Sequence, residues 1–240
     1  VDGGYTYISF TMAADWHNLD QTIHALAHTR SYFLAQPERF ILVDTVDDVL
    51  RAKQEGKLAV SFHLQGSNPL EGDVAMVELY YQLGVRHIIL ANNMKNAIGE
   101  GGMERTDSGL SRLGVALVEE MNRVGMMVDG THAGYRTTMD MFEVSKDPVI
   151  FSHSNPKALW DIPICIADDQ IKACAKKGGV IGILGIGIYL GDNDASSEMF
   201  FKHIDYVAKL VGPEHVGIGT NWVHPKERNS FPPSAVHNPM

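Results

Sequence analysis

The sequence predicts an α/β fold with parallel strands, and three observations lead to this prediction. Short runs rich in valine and isoleucine recur along the chain, most of them follow a glycine that ends a helical stretch, and they stop in small or polar residues. Glycine just past a helix adopts the left-handed conformation that ends it. Near-continuous apolar runs are typical of strands buried on both faces, as in parallel sheets. Regular alternation of strands and helices then gives either an open doubly wound sheet or a (β/α)8 barrel.

Seven strands are predicted, and amphipathic segments separate them. The runs that contain the strands are 5–13, 54–66, 82–93, 122–132, 149–155, 176–185 and 210–222. The helical segments are 17–36, 46–55, 72–84, 110–125, 133–145, 168–178 and 195–212. In the fourth of these segments, Leu113, Leu117 and Met121 recur at helical spacing and predict a buried face. Either Ser108 or Ser111 could cap the start of this helix.

The amino-acid composition indicates a class of protein and argues against some kinds of binding partner. The 240 residues are 45% hydrophobic and 20% charged, which is ordinary for a globular protein with a sizeable core. The net charge of −9, without a cluster of lysine or arginine, argues against a nucleic acid or an anionic membrane as partner. The longest apolar run, 178–191, is rich in glycine and has about two-thirds of the length of a membrane span. No membrane segment is therefore expected in this chain.

The organisation of the chain and its cysteines give two further expectations. No linker interrupts the alternation of strands and helices, so we expect one domain over 1–240, with a proline-rich irregular tail at 224–240. Cys165 and Cys174 are too few for a disulfide framework, and no secretory signal is present. Reduced thiols in a cytoplasmic protein are the expected state.

Polar side chains follow five of the predicted strands, at the point where each strand ends. They are Gln65, Asn92, His132, His153 and Asn221. Functional sites lie at the carboxyl ends of the strands in both doubly wound sheets and barrels. Polar groups that gather there are hard to explain as packing, because buried polar groups need partners. The sequence therefore predicts a site at this edge of the sheet.

Two of these strand ends carry histidines. His132 and His153 end consecutive strands with one helix between them, so both are expected at the same edge, on neighbouring strands. Metal ligation is the first interpretation and general acid–base catalysis the second, because imidazole serves both purposes. The alternative is that each ring only bonds a backbone carbonyl. Asp129 could orient an imidazole, although a plain strand or helix-cap residue is the favoured interpretation.

Carboxylates are scarce at the predicted site. A two-metal centre uses at least one bridging carboxylate, whereas three of the five strand ends here carry amides. Acidic residues on the loops could enter the site, but solvated charges or helix caps are the favoured interpretation for them. These residues are Glu71, Asp73, Glu100, Glu104 and Asp107.

A family resemblance runs through nearly the whole chain and includes the segments GLSRLGVALVEEMNRVGMMVDGTH, PVIFSHSNPKAL, DDQIKACAKKGGVIGI and GPEHVGIGTNW. These segments resemble the membrane (renal-type) dipeptidase family, the M19 metallopeptidases. The resemblance implies a (β/α)8 TIM barrel of the metallo-dependent hydrolase type with a binuclear zinc site that cleaves dipeptides. It also implies that seven of the eight strands are present. The first strand, with its His-x-Asp pair, and the closing helices are expected to lie outside the chain.

The resemblance also implies roles for individual residues. His132 and His153 match two histidine ligands of the second zinc, and Gln65 stands where a bridging glutamate is expected. Three further positions would contact the substrate, and each differs from the residue usual in the family. They are Asn92 in place of a histidine, Ile164 in place of an arginine and Asn221 in place of an aspartate.

Two functions are compatible with these residues. The first is a divergent metallohydrolase that holds one or two divalent ions, zinc by resemblance, and cleaves a dipeptide or other small amide-like substrate with a metal-activated water. The second is a barrel that has lost its metal and its catalysis and binds a small ligand or a partner. A homodimer is the oligomer that would fit either function.

Overall fold

Strands and helices alternate along the chain in a computed structural model that describes residues 3–221. The strands are β1 (Tyr7–Ala14), β2 (Phe40–Leu42), β3 (Leu58–Gln65), β4 (Val85–Ile89), β5 (Met127–Asp129), β6 (Val149–Ile150), β7 (Ile181–Ile183) and β8 (Val216–Ile218). The helices are α1 (Leu19–Leu34), α2 (Val46–Glu55), α3 (Met76–Gln82), α4 (Arg112–Val124), α5 (Tyr135–Val144), α6 (Asp168–Lys176), α7 (Gly187–Leu190) and α8 (Ser197–Val211). The tail predicted at 224–240 lies outside the described residues.

All strand pairings between these elements are parallel. One sheet has the order β1-β3-β4-β5-β6, and a second sheet pairs β7 with β8. A parallel bridge between Phe151 and Ile181 connects the end of β6 to β7. The seven predicted strands therefore follow one another in space in the order of a barrel wall, which brings their carboxyl ends to one edge.

One strand was not predicted. β2 has three residues and pairs with the start of β3, with Phe40 opposite Leu58. A run of three residues is too short to show the periodicity that marks a strand. It lies off the barrel path and contributes no residue to the carboxyl edge.

The helices follow the amphipathic segments closely. α2 matches its predicted bounds, and α4 is capped by the Ser111 hydroxyl, which accepts from Gly114 N at 3.0 Å, so Ser111 rather than Ser108 is the cap. α4 ends at Val124, and the following Gly125 caps it with a φ of 81°, a conformation that favours glycine. The four-residue α7 was not predicted, since its sequence resembles a strand and loop. Over residues 3–221, no helix is long and apolar enough to cross a bilayer.

The two faces of β3 have different surroundings. Phe62 and Leu64 are fully buried in the hydrophobic core between the strands and helices. On the alternate face, Ser61 and His63 contact hydroxyl groups of β1. Because side chains alternate along a strand, the inner face of this apolar-looking run is polar. This polar interior leads directly to Gln65 at the strand end.

Candidate metal centre

His132 and His153 meet as predicted at the carboxyl edge. Their Nε2 atoms lie 3.0 Å apart, and both side chains are buried. Two nitrogen atoms bound to one tetrahedral zinc ion are about 3.3 Å apart, given the usual Zn–N bond length. The two rings therefore already direct their Nε2 atoms to a common point, at nearly the separation that one metal ion requires.

Burial controls the protonation of this pair. It lowers the pKa of His132 to about 4, and burial followed by the proximity of His132 lowers the pKa of His153 to about 3. Both rings are therefore neutral near pH 7, the state in which imidazole binds a metal. The Ser152 hydroxyl lies 2.9 Å from His153 Nδ1 and fixes that ring, while His132 Nδ1 is buried without a partner in the part of the chain that the structure describes.

The backbone at His132 is in an uncommon conformation. Its φ is 65°, in the left-handed region that few non-glycine residues adopt. The His132 carbonyl accepts from Gly102 N at 2.7 Å and from Asn93 N at 3.3 Å, which holds this conformation in place. A Cβ atom at Gly101 would lie 2.0 Å from the Asn93 carbonyl carbon, so the supporting loop requires glycine there. Strain that persists because its surroundings enforce it is a frequent feature of functional sites.

The structure brings three predicted residues together at the ends of β3, β4 and β8. Gln65 Nε2 donates to Asn221 Oδ1 at 3.5 Å, and Asn92 Nδ2 donates to the Gln65 carbonyl at 2.7 Å. Gln65 Nε2 also donates to Thr11 Oγ1 at 3.2 Å. Within residues 3–221, no hydrogen bond joins this group of amides to the histidine pair.

Ile164 is the exception among the predicted substrate residues. It is buried on the loop before α6, and its side chain has no group that could bind a carboxylate. The structure describes no polar contact between this side chain and the other predicted residues. Ile164 can therefore only supply an apolar wall.

Asp15 is a strand-end carboxylate that the sequence analysis missed. It follows β1, and its carboxylate accepts from Asn68 N at 3.0 Å, from Asn92 N at 2.9 Å and from Asn96 Nδ2. Burial raises the pKa of Asp15, and these hydrogen bonds oppose the rise. Asp15 therefore connects the loops that follow β3 and β4. Its position directly after a predicted strand was the available signal.

The interior of the barrel strands contains a second polar group that the sequence did not reveal. The rings of His63 and His87 stack with centroids 4.5 Å apart, and His87 Nδ1 lies 3.1 Å from Asp129 Oδ2. Burial lowers the pKa of His63 well below its usual value, and the neighbouring His87 lowers it further. Burial raises the pKa of Asp129, but the hydrogen bond with His87 leads the effects that hold it well below its usual value.

Asp129 therefore orients an imidazole, but the ring is that of His87, which lies on the neighbouring strand β4. Asp129 is a strand residue, the last of β5, as the favoured interpretation has it, but its carboxylate also contacts this imidazole. Both interior histidines lie within runs of largely apolar residues, and only the register between strands shows that they meet.

The donor set at the edge fits one divalent cation better than two. Over residues 3–221, no group of three or more His, Cys, Asp or Glu side chains could hold a metal ion. The two neutral imidazoles suit a cation such as zinc, and the Gln65 amide oxygen would be a weak additional ligand. No carboxylate among the described residues stands in the bridging position that the resemblance assigns to Gln65.

Glu100 is not a solvated loop charge, and that expectation is wrong. Its side chain is 1% exposed and accepts from Lys95 Nζ at 2.8 Å, Ser108 N at 2.9 Å and Thr106 Oγ1 at 3.1 Å. The bond from Lys95, followed by that from Ser108, lowers the pKa of Glu100 to about 2. The carboxylate thus organises the glycine-rich loop 96–111, which supports the His132 backbone.

We expect Glu100→Gln to lower the midpoint of thermal unfolding at pH 7, since a neutral amide replaces a carboxylate with three donors. The folded pKa of about 2 lies below the ordinary value of 4.5. The contribution of the carboxylate is therefore fully present above about pH 4.5 and is lost as the pH falls towards 2. Thermal unfolding at pH 7 and about pH 3 should show a difference between parent and variant that shrinks in acid. Glu119→Gln, on the exposed face of α4, is the matched control, and an equal difference at both pH values would contradict the assignment.

Parallel strands in barrel order, with histidines at the carboxyl ends of neighbouring strands, place the protein in the class of (β/α) barrels that carry a candidate site at this face. Residues 4–230 match the family model for membrane dipeptidase (peptidase family M19), and the chain belongs to this family. The predicted family is therefore confirmed.

Relatives and solved structures agree with this assignment. An uncharacterised dipeptidase of Schizosaccharomyces pombe is 35% identical over 188 residues, which cover 75% of this chain and 45% of the relative. The dipeptidase verJ of Clonostachys rogersoniana is 29% identical over 215 residues, which cover 89% of this chain and 55% of that protein. The chain thus spans about half the length of the curated relatives that it matches.

Among solved structures, an amidohydrolase from Pseudomonas aeruginosa superimposes with a TM-score of 0.88 at 31% identity, covering 93% of this chain and 68% of that one. The dipeptidase AC, a metallopeptidase of family M19, gives a TM-score of 0.84 at 20% identity, covering 94% and 75%. The barrel fold class is thereby confirmed. No comparison favours the alternative of a barrel that has lost catalysis.

Proposed function

We propose that the protein is a metal-dependent hydrolase that cleaves a dipeptide or another small amide-like substrate. The observation that supports this most directly is the pair of buried, neutral imidazoles whose Nε2 atoms lie 3.0 Å apart at the carboxyl edge. Membership of a dipeptidase family agrees with it.

The histidines would hold the cation through Nε2. A divalent ion such as Zn2+ supplies a Lewis acid and lowers the pKa of a bound water. Ser152 fixes the orientation of the His153 ring through Nδ1, as outer hydrogen bonds do for many ligating histidines. Gln65 would offer its neutral amide oxygen, so the cation keeps more of its positive charge than it would beside a bridging glutamate.

Substrate binding would depend on neutral groups. Asn92 and Asn221 offer amide groups at the edge, and Ile164 offers an apolar surface. Such groups form hydrogen bonds with a peptide or amide but lack the charge-assisted contacts that favour free amino and carboxyl termini. A substrate with at least one blocked terminus therefore suits these residues better than a free dipeptide.

Metal analysis combined with a hydrolysis screen tests the proposal. Purified protein is loaded with Zn2+, desalted and analysed for metal, and then assayed on free dipeptides and on matched dipeptides with acylated amino termini or amidated carboxyl termini. We expect about one tightly bound ion per chain and hydrolysis that a chelator abolishes. Substoichiometric metal together with no hydrolysis in the presence of added Zn2+ would overturn the proposal.

A further inference from the structure

A continuous line of hydrogen bonds runs through the interior of the barrel strands and ends at Gln65. Gln65 Nε2 donates to Thr11 Oγ1 at 3.2 Å, and Thr11 Oγ1 lies 2.8 Å from His63 Nε2. His63 Nδ1 lies 2.9 Å from Ser9 Oγ. The same hydroxyl lies 3.2 Å from Nε2 of His87. This line therefore connects the strand edge to the interior histidines.

The other end of the line is a buried carboxylate, which fixes the direction of the first bond. Asp129 Oδ2 lies 3.1 Å from His87 Nδ1, and a carboxylate can only accept, so His87 Nδ1–H donates. If the imidazole carries this one N–H, its Nε2 accepts, and the Ser9 hydroxyl 3.2 Å away is placed to donate to it. Ser9 Oγ in turn accepts from its remaining neighbours, one of which is Nδ1 of His63.

The same direction of hydrogen-bond donation can be followed from His63 to the strand edge. Because His63 donates through Nδ1, its Nε2 accepts from the Thr11 hydroxyl. Thr11 Oγ1 then accepts from the Gln65 amide nitrogen. In this arrangement the amide nitrogen of Gln65 donates to Thr11 and, at 3.5 Å, to Asn221 Oδ1, and no hydrogen bond within residues 3–221 engages its Oε1. The oxygen is thus the atom left for a cation or a substrate.

The second oxygen of Asp129 contacts the loops that bear the histidines. Oδ1 accepts from Thr131 N at 3.0 Å and from Ser152 N at 3.2 Å. These two residues directly precede His132 and His153. One buried carboxylate therefore contacts the backbone beside both histidines through one oxygen, and reaches Gln65 through the other.

We propose that His63, His87 and Asp129 are positioning residues that set which end of the Gln65 amide is presented at the metal centre. The two ends of an amide are nearly equal in shape, so packing alone does not select between them, whereas a directed line of hydrogen bonds does. If the amide were reversed, its NH2 group would face a cation. This inference rests on the proposed function only in assigning that cation to the edge.

Thr11 offers the cleanest test, because it is exposed on β1 and forms the last bond before Gln65. Thr11→Val has nearly the same shape but removes the hydroxyl, while Thr11→Ser keeps it. We expect Thr11→Val to weaken Co2+ binding about tenfold, the lower range for loss of an outer partner of a metal ligand, and Thr11→Ser to restore it. Chelator competition measures the affinity, and unchanged thermal unfolding shows that the fold is intact. Equal Co2+ affinity of Thr11→Val and the parent would overturn the proposal.

Nuclear magnetic resonance of the metal-free protein gives a readout that does not depend on metal. The ring nitrogen chemical shifts of His63 and His87 are expected to show the Nδ1–H tautomer in both rings. The substitutions Thr11→Val and His87→Phe are each expected to move the side-chain amide signals of Gln65. His87→Gln, which can still donate to Asp129, should shift them less than His87→Phe. If either ring is found as the Nε2–H tautomer, or if His87→Phe leaves the Gln65 amide unchanged, the proposal fails. A parent that binds no Co2+ would instead contradict the proposed function, and the tautomers would still decide the positioning.

Discussion

Replacing His132 and His153 together with alanine is expected to abolish metal binding and any hydrolysis. The two rings provide the facing nitrogen atoms of the candidate centre, 3.0 Å apart. Among the other predicted site residues, Gln65, Asn92 and Asn221 carry neutral amides, which bind divalent cations weakly. We therefore expect at least about a 100-fold loss of affinity for Zn2+ or Co2+, beyond what loss of an outer partner costs.

A control and a metal-free readout sharpen this test. His24 and His28 form an exposed pair on α1, with ring centroids 6.4 Å apart, and their double alanine variant should bind metal at the candidate centre like the parent. In the metal-free parent, the folded pKa values of about 4 and about 3 lie below the ordinary 6.5 of histidine. The unfolded chain thus binds more protons between these values, so stability falls as the pH drops below about 6.5.

The decrease in the free energy of unfolding between pH 7 and about pH 4 should be smaller in the His132 and His153 double variant than in the parent. Urea unfolding at the two pH values measures this decrease. Metal content and hydrolysis that survive the double substitution would show that the histidines are structural and that the centre lies elsewhere.

Asp129→Asn is expected to destabilise the fold substantially. Asp129 is fully buried, and its two oxygens accept from His87 Nδ1, Thr131 N and Ser152 N. Asparagine has only one accepting oxygen, so its NH2 group must face a donor on one side. Leaving a buried hydrogen-bonding group without a partner typically costs about 1–3 kcal/mol. We expect a decrease of that size in the free energy of unfolding.

Urea unfolding at pH 7 measures this decrease. The matched control is Asp161→Asn, because Asp161 is exposed and pairs with Lys157 at 3.3 Å on the surface. Exposed ion pairs contribute about 1 kcal/mol or less. If Asp129→Asn changed the free energy of unfolding by no more than the control does, the buried carboxylate would not organise the interior as described.

Much of the fold was predictable from local pattern. Helical periodicity and terminal glycines placed α2 residue for residue and ended α4 just before Gly125. The strand–helix–strand order placed His132 beside His153, because consecutive parallel strands joined by one helix tend to be neighbours in a sheet. β2 and α7 were missed, since three or four residues carry too little periodic signal.

The remaining assignments concern chemistry and assembly. Five assignments stay predictions. They are the identity of the metal as zinc, a homodimer, a single domain over 1–240, the cytoplasmic location and the absence of a nucleic-acid partner. The membrane-dipeptidase-like activity is a proposal, since the chain spans about half of its curated relatives.

The contacts inside the barrel depended on tertiary structure alone. His63 lies next to core residues in the sequence, yet it contacts Ser9, 54 positions away, and stacks on His87 from the neighbouring strand. Glu100 gave no sign of burial, because its donors come from the folded path of its own loop. A strand pattern shows which residues share a face, but only the register between strands decides which of them meet. Local pattern thus located the edge and its histidines, while packing across strands decided what holds them and Gln65 in place.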